Sequence, residues 1–336
     1  MKNILVTGGA GFIGSHTVVE LINSGYHPII LDDFRNSSRD VIQRLAELTK
    51  TKLTCYDQDY KDVKNLNQIL KKESIDGVIH FAAYKAVGES SENPLKYYHN
   101  NVSGFVSLLR ALETAKIKNI VFSSSCTVYG EPDKLPLDES APVKAAASPY
   151  GETKKMCEKI LHDATLVSKS FKSLSLRYFN PIGAHPSALI GELPIGTPTC
   201  LVPFLTQSVA GLRGGLTVYG DDYPTPDGTC IRDYVHVVDL AKAHIKAFEF
   251  LEGQEATTYD ICNVGTGQGS SVLEVINEFE RVTGKKVDYK IGPRRSGDLI
   301  TSYASVDKAK TMLGWQSGLT LADALKDAWR WQETLR

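Results

Sequence analysis

Asn3-Ile4-Leu5-Val6-Thr7-Gly8-Gly9-Ala10-Gly11-Phe12-Ile13-Gly14 is the stretch on which the fold turns. The apolar run Asn3–Val6 has no polar alternation, which is how a strand buried on both faces reads. It runs straight into glycines spaced G-x-x-G-x-x-G, and an amphipathic segment near 13–24 follows. Gly8 permits a sharp turn, Gly11 lets the backbone approach a pyrophosphate, and Gly14 lets helix and strand pack closely. The positive end of the helix then faces the anion.

Strand, glycine turn and helix in this order predict a dinucleotide site. Asp32 closes the next apolar run, 18 residues past Gly14. A carboxylate there bonds ribose hydroxyls and repels a 2′-phosphate, favouring NAD over NADP. Arg35 and Arg39 are the nearby groups that would argue the other way.

Further along, apolar runs recur at Pro28–Leu31, Leu53–Tyr56, Gly77–Phe81, Ile120–Ser123 and Leu174–Tyr178. Amphipathic segments near 39–49, 62–72, 95–115 and 150–169 separate them. The alternation predicts an α/β fold, a doubly wound parallel Rossmann sheet with helices on both faces. After residue 180 the texture changes to Pro- and Gly-rich loops, with helical patterns near 239–251, 271–283 and 320–335 and a strand at Thr258–Val264. We expect an NAD-binding domain over 1–180, to which segments from about 233–265 return, and a smaller α/β substrate domain over 181–336. Trp315, Trp329 and Trp331 are expected to pack the smaller domain.

Composition narrows the function. The chain has 336 residues, with 38 Lys and Arg against 39 Asp and Glu, a net charge of −1. Nucleic-acid binding without sequence preference needs a basic excess that is missing here. No apolar stretch approaches the roughly 20 residues of a spanning helix, and Met1–Val6 reads as a strand start, not a signal peptide. The six cysteines (55, 126, 157, 200, 230 and 262) form no C-x-x-C pair. Free thiols in the cytoplasm, with no zinc or redox site, are expected. His80 and His185 lack metal-ligand spacing and read as structural histidines.

A second constellation carries chemistry. Ser148 suits a helix N-cap and Pro149 its first turn. Tyr150 and Lys154 then fall four residues apart on one helix face. An ammonium beside a phenol favours the phenolate, so the pair is expected to lower the tyrosine from about 10 toward working pH. Such a phenol is an acid/base for an alcohol. Ser125, just past the fifth strand, stands at the sheet edge where ligands bind and offers a hydroxyl to the same alcohol.

With Thr7–Gly14, Ser125 and Tyr150-x-x-x-Lys154 together, the chain resembles the extended short-chain dehydrogenase/reductase family. Within it, the UDP-hexose 4-epimerases match along essentially the whole length. The stretches that carry the resemblance are His80–Ser90, Tyr97–Val102, Leu176–Pro186, Gly228–His236 and Arg294–Asp298. The resemblance implies that Ser125, Tyr150 and Lys154 are catalytic and interconvert UDP-galactose and UDP-glucose through a 4-keto sugar with tightly bound NAD. Besides Gly8, Gly11 and Gly14, it implies that NAD is lined by Phe12, Ile13, Asp32, Asp33, Asn36, Ser37, Asp59, Tyr60, Phe81, Ala82, Ala83, Lys85, Asn100 and Phe179, and by the catalytic three. Lys85, Ser125, Tyr150, Asn180, Leu201, Tyr219, Arg232, Arg295, Asp298 and Ser302 are implied for the UDP-sugar. Cys200 stands where the family often has Asn.

Ser302 falls at the position that family members with bulky tyrosine close against N-acetylated sugars. An open gate, and turnover of UDP-GlcNAc/UDP-GalNAc as well, is therefore expected. A homodimer through the helices near 95–115 and 150–169 is expected on the same resemblance. Another nucleotide-sugar epimerase or a 4,6-dehydratase is the alternative. The dehydratases carry an Asp-Glu pair just after the active-site hydroxyl residue, and here that place reads Cys126-Thr127. A non-catalytic NAD-sensing protein would be expected to lose the tyrosine or the lysine, and both are present.

Overall fold

The computed structural model describes residues 1–336 except Ser168, Ser170, Ser296 and Arg336. Ser168, in the helix expected over 150–169, and Ser296, in the Arg294–Asp298 motif, thus lie outside the described residues. In chain order the strands are β1 (Asn3–Thr7), β2 (His27–Asp32), β3 (Thr54–Asp57), β4 (Gly77–His80), β5 (Asn119–Ser123), β6 (Lys172–Tyr178), β7 (Asn180–Ile182), β8 (Leu216–Tyr219), β9 (Ile231–Arg232), β10 (Tyr234–His236), β11 (Thr258–Val264), β12 (Ser270–Ser271), β13 (Tyr289–Gly292) and β14 (Thr301–Ser302). The α-helices are α1 (Phe12–Asn23), α2 (Asp40–Thr49), α3 (Val63–Lys72), α4 (Val87–Glu92), α5 (Pro94–Tyr97), α6 (Gly104–Thr114), α7 (Pro149–Leu166), α8 (Leu201–Val209), α9 (Val237–Glu252), α10 (Val272–Thr283), α11 (Asp307–Leu313) and α12 (Leu321–Thr334).

The main sheet has seven strands in the order β11-β6-β5-β4-β1-β2-β3. Every pairing in it is parallel. The central strands β1, β2, β4 and β5 are mostly apolar because both faces are covered, whereas β6 alternates Leu174 and Leu176 with Ser173, Ser175 and Arg177. One face packs Val18, Leu21 and Leu45 with Leu240, Phe248 and Leu313. The other packs Leu66, Ile69, Phe105, Leu108, Cys157 and Leu161. The chain reverses its direction of travel across the sheet between β1 and β4, and ligands bind outside the carboxyl ends of strands at such a switch point.

A third cluster unites α8, α10 and α12 with β8 and β10. The two longer helices of this lobe begin at capping boxes, Ser271 with Glu274 and Thr320 with Asp323, which satisfy first-turn N–H groups. Trp329 packs here, edge-on to Phe279 at 5.8 Å. Trp315 does not. It joins the cluster under the main sheet, and its Nε1 donates to the Asp239 carbonyl at 3.0 Å. Trp315 follows the short helix α11, a segment for which the sequence offered no helical reading.

The helix expected over 95–115 is also interrupted. A π-helical stretch, Tyr98–Ser103, separates α5 from α6. Asn100 and Asn101 within it are buried and turned inward. Among the described residues, no helix is long and apolar enough to cross a membrane.

Candidate active site

The glycine turn closes on itself and on the neighbouring strand exit. Gly8 has φ +72, and a side-chain carbon there would meet the Ala82 amide nitrogen at 2.8 Å. One at Gly14 would meet the Gly8 carbonyl oxygen at 2.2 Å. Both positions therefore require glycine for close approach. Gly11 is the N-cap of α1, where no side chain caps the helix and no acid occupies the first turn. The Phe12 ring turns away toward His16, and the aliphatic Ile13 side chain packs against the sheet core. The turn thus offers backbone N–H groups at a positive helix end, which fits a pyrophosphate.

Asp32 is buried, and its carboxylate organises the turn. Oδ2 accepts from Ala10 N at 2.9 Å, and Oδ1 from Phe34 N and Ser37 Oγ at 2.9 Å. Burial raises its pKa while these bonds pull it back. The two arginines nearby are engaged elsewhere. Arg35 pairs with Asp33 at 2.9 Å and with Asp59, and Arg39 bonds Asp57 through Nε at 2.9 Å. Neither stands free for a 2′-phosphate, so the residues present fit NAD.

Several expected cofactor residues put their side chains into the core or tie them to neighbouring residues. Tyr60 sits in the apolar cluster and bonds the Asn100 carbonyl. Phe81 lies 4.6 Å from the His244 ring. Phe179 packs with Val128, Tyr129 and Leu137. Asn100 is tied to Lys61 Nζ at 2.8 Å and to Asn101. Asn36 is exposed on the loop past β2, and Ala83 is half-buried on the loop past β4. His80 is a core histidine, bonded to Thr7 Oγ1 at 2.7 Å and stacked on Phe105. Burial lowers its pKa to about 3.

Ser148 caps α7 by accepting from Gly151 N at 3.2 Å, and Pro149 follows in the first turn. The helix carries Tyr150 and Lys154, both buried, to the carboxyl end of β5. The Lys154 ammonium donates to the Ser123 carbonyl at 2.6 Å and lies 6.0 Å from the Tyr150 ring centre. Ser125 Oγ accepts from Thr127 N at 3.3 Å and Thr127 Oγ1 at 3.0 Å. Its own proton is left to donate, and the hydroxyl acts on Tyr150 in favour of the phenolate.

The expectation that Lys154 alone brings Tyr150 down toward working pH is not met. Burial dominates and holds the phenol above its ordinary value, with Tyr178 adding to the rise. Burial also lowers Lys154 to about 8. An uncharged interior disfavours the charged form of both groups, and one ammonium a turn away does not offset that.

The small sheet β12-β9-β14 holds Arg232 and Ser302 of the groups expected for the UDP-sugar. Arg295 grips Asp298 with Nε at 3.1 Å and Nη2 at 2.6 Å, and its guanidinium lies 5.7 Å over the Tyr219 ring. Arg232 approaches the same carboxylate at 3.7 Å. Ser302 pairs with Arg232 in the ladder, so both side chains leave one face. The Tyr303 ring lies on the other side, beside Gly269. Asn180 opens β7, its amide held by the Asp233 carbonyl at 2.9 Å. Leu201 opens α8, and Cys200 precedes it as an N-cap without a side-chain bond. Lys85 spans the cleft to Glu192 at 3.0 Å.

Sequence reasoning missed Glu192, Tyr178 and Asn101. Tyr178 Oη bonds Ser123 Oγ at 2.5 Å. Asn101 ties the Tyr84 backbone (2.9 and 3.0 Å) to Thr153 on α7 at 3.1 Å. Asn101 lay in a quoted motif. Glu192 lay in a loop without periodicity.

A family profile described as GDP-mannose 4,6 dehydratase matches residues 5–328. The UDP-glucose 4-epimerase of Bacillus subtilis is 49% identical over 331 residues, covering 98% of this chain and 97% of that protein. The chain belongs to the extended short-chain dehydrogenase/reductase family, in its UDP-glucose 4-epimerase branch. Among solved members of the family, UDP-glucose 4-epimerase from Stenotrophomonas maltophila, with bound NAD and formylated UDP-arabinopyranose, superposes with a TM-score of 0.97. It is 46% identical, and the match covers 100% of this chain and 99% of that one. The UDP-Glc/GlcNAc 4-epimerase of Campylobacter jejuni superposes at 0.86, with 35% identity and 99% and 100% covered.

Proposed function

We propose that this chain is an NAD-dependent UDP-hexose 4-epimerase that interconverts UDP-glucose and UDP-galactose, and UDP-GlcNAc and UDP-GalNAc as well. The observation that carries the reading is the pairing across one cleft. Tyr150, Lys154 and Ser125 meet at the end of β5, and two arginines sharing Asp298 face them. Bound NAD supplies a reversible two-electron acceptor at the sugar C4.

The protein does the rest. Ser125 donates its free proton toward the C4 oxygen and orients it. Tyr150 Oη, as phenolate, takes the C4 hydroxyl proton and later returns it. Burial works against the phenolate, so the Lys154 ammonium is needed beside it. Arg232 and Arg295 grip the diphosphate, for which planar guanidinium groups suit two oxygens at once. Held by its nucleotide alone, the 4-keto sugar is free to turn over and present its other face.

Against a 4,6-dehydratase stands the residue pair after Ser125. Cys126 is partly buried with a thiol pushed up to about 12 by burial, and Thr127 is occupied with Ser125. Neither replaces the carboxylates that chemistry at C5 and C6 needs. Ser302, small and on the Arg232 face, carries no ring where an acetamido group would need space.

A homodimer belongs to the same reading, with Val106 of α6 and Met156 of α7 as exposed apolar positions. A particle mass of 36.9 kDa in light scattering would overturn it. The six unpaired cysteines suit a reducing cytoplasm. The activity is tested by incubating the purified protein with UDP-galactose, following UDP-glucose by NMR, and assaying the heat-denatured supernatant for NAD. No product, or a strict need for added cofactor, would sink it.

A further inference from the structure

Glu158 and Arg177 form an ion pair that is almost wholly inside the protein, at 5% and 2% exposure. Arg177 Nε donates to Oε1 at 2.9 Å and Nη2 to Oε2 at 2.6 Å. Buried pairs of this kind contribute little net stability compared with apolar side chains of the same volume. Their position gives another reason for this one.

α7 presents Tyr150, Lys154 and Glu158 at four-residue intervals, hence along one face. Opposite them stand three consecutive serines. The Ser123 carbonyl takes the Lys154 ammonium at 2.6 Å, Ser124 Oγ donates to Glu158 Oε1 at 2.5 Å, and Ser125, next in the chain, acts on Tyr150 in favour of the phenolate. The middle tie moves no proton. Arg177 braces it from β6, with its guanidinium 4.7 Å over the Tyr129 ring. Tyr129 Oη in turn bonds Asn263 of β11 at 2.7 Å. The helix is thereby pinned to three strands at the level of the reacting groups.

We infer that Glu158 is a positioning residue of the reaction: held by Arg177, it draws Ser124 onto α7 and so sets the approach of Ser125 to Tyr150 and of the Ser123 carbonyl to Lys154. The inference rests on the epimerase reading given above. Its charge also acts on Lys154. The titratable and charged groups around that ammonium are Tyr150, Cys157 and Glu158 on α7 and His80 on β4, with Arg177 of β6 behind Glu158. Glu158 favours the charged form, which burial opposes.

The test uses the holoenzyme in two variants. Ser124→Ala strands no charge. Its kcat should fall roughly tenfold, as small displacements of reacting groups do, with KM and bound NAD unchanged. Glu158→Gln should move the titration of Lys154, followed by NMR of lysine-15N-labelled protein, to lower pH, and the basic limb of kcat with it. If Glu158→Gln does not fold, Ser124→Ala decides alone. A lowered melting temperature with kcat, KM and pH profile unchanged in Ser124→Ala would overturn the inference, as would an unmoved lysine titration in Glu158→Gln. Absence of epimerisation in the wild type would remove the reading it rests on, and the lysine titration would still report on Glu158.

Discussion

The cofactor half of the cleft presents mostly backbone and fully engaged side chains. Asp32 has three partners, the arginines past β2 are paired, and the glycine turn tolerates no added carbon. The half with Arg232, Arg295 and Asp298 presents charged side chains, some of them partly exposed. The Arg295 side chain is 55% exposed, Tyr219 is 46% exposed, and Asp298 is shared between two arginines that a diphosphate would part. A rigid cradle suits a ligand that stays through every turnover, because ordering costs are met in folding. A re-partnering surface suits a ligand that must leave. Substitutions in the two halves should therefore fail in different ways.

The largest effect falls between the halves. Tyr150→Phe removes the proton acceptor and should lower kcat roughly 10²–10⁴-fold, with fold and bound NAD intact. Near-normal turnover in that variant would remove the phenol from the mechanism. Arg295→Ala should raise KM for UDP-glucose roughly 10–100-fold, the loss of charge-assisted hydrogen bonds of about 1.5–3 kcal/mol. Its kcat at saturation and its NAD content should hold. Gly14→Ala should do the reverse. The clash with Gly8 calls for a backbone shift costing about 1–3 kcal/mol, read as a lower melting temperature and NAD lost on gel filtration, with KM of the reconstituted enzyme unchanged. If Arg295→Ala sheds NAD, or Gly14→Ala keeps it, the division between the halves fails.

The two halves also differed in how far the sequence revealed them. The glycine turn, Asp32 and the α7 pair were legible because each is local: a motif of known spacing beside a recognisable strand or helix. What spacing did not tell is that Phe81, Tyr60 and Phe179 turn their rings into the core. The substrate half draws Arg232, Arg295 and Ser302 from separate loops and two-residue strands, which carry no periodicity. Only the resemblance collected them. Trp315 went astray because its place in the C-terminal half of the chain does not say which core it packs into. The direction of the Tyr150 shift went astray because the i, i+4 spacing shows Lys154 and not the depth at which both lie.

That depth has a consequence in pH. Burial holds Lys154 near 8, and its charged form is the one that supports the phenolate. Activity should therefore fall as pH rises through about 8, and a positive charge on a neighbouring bound group would move that limb lower still. Lys154→Met should abolish the limb along with most of the rate. A kcat profile flat from pH 7 to roughly 10 would show that the ammonium is dispensable.

The smallest effect on the glucose/galactose pair is expected at Ser302. In the ladder between β14 and β9, Ser302 shares a face with Arg232, while Tyr303 lies beside Gly269 on the other. Because side chains alternate along a strand, a shift of one residue would exchange them. The observed register puts the serine, not the ring, on the side of Arg232. Ser302→Tyr would set a phenol there and take up the space an acetamido group needs. Turnover of UDP-galactose should change less than threefold, since a hexose without the acetamido group reaches less far; that bound is an estimate on the order of 1 kcal/mol or less. Turnover of UDP-GalNAc should vanish in the same preparation, followed by NMR of both pairs. Equal loss of both activities would mean that the ring disturbs Arg232 and not the sugar. Wild-type protein inert toward UDP-GalNAc but active on UDP-galactose would show that another wall, with Cys200 at the start of α8 the first to examine, closes the pocket.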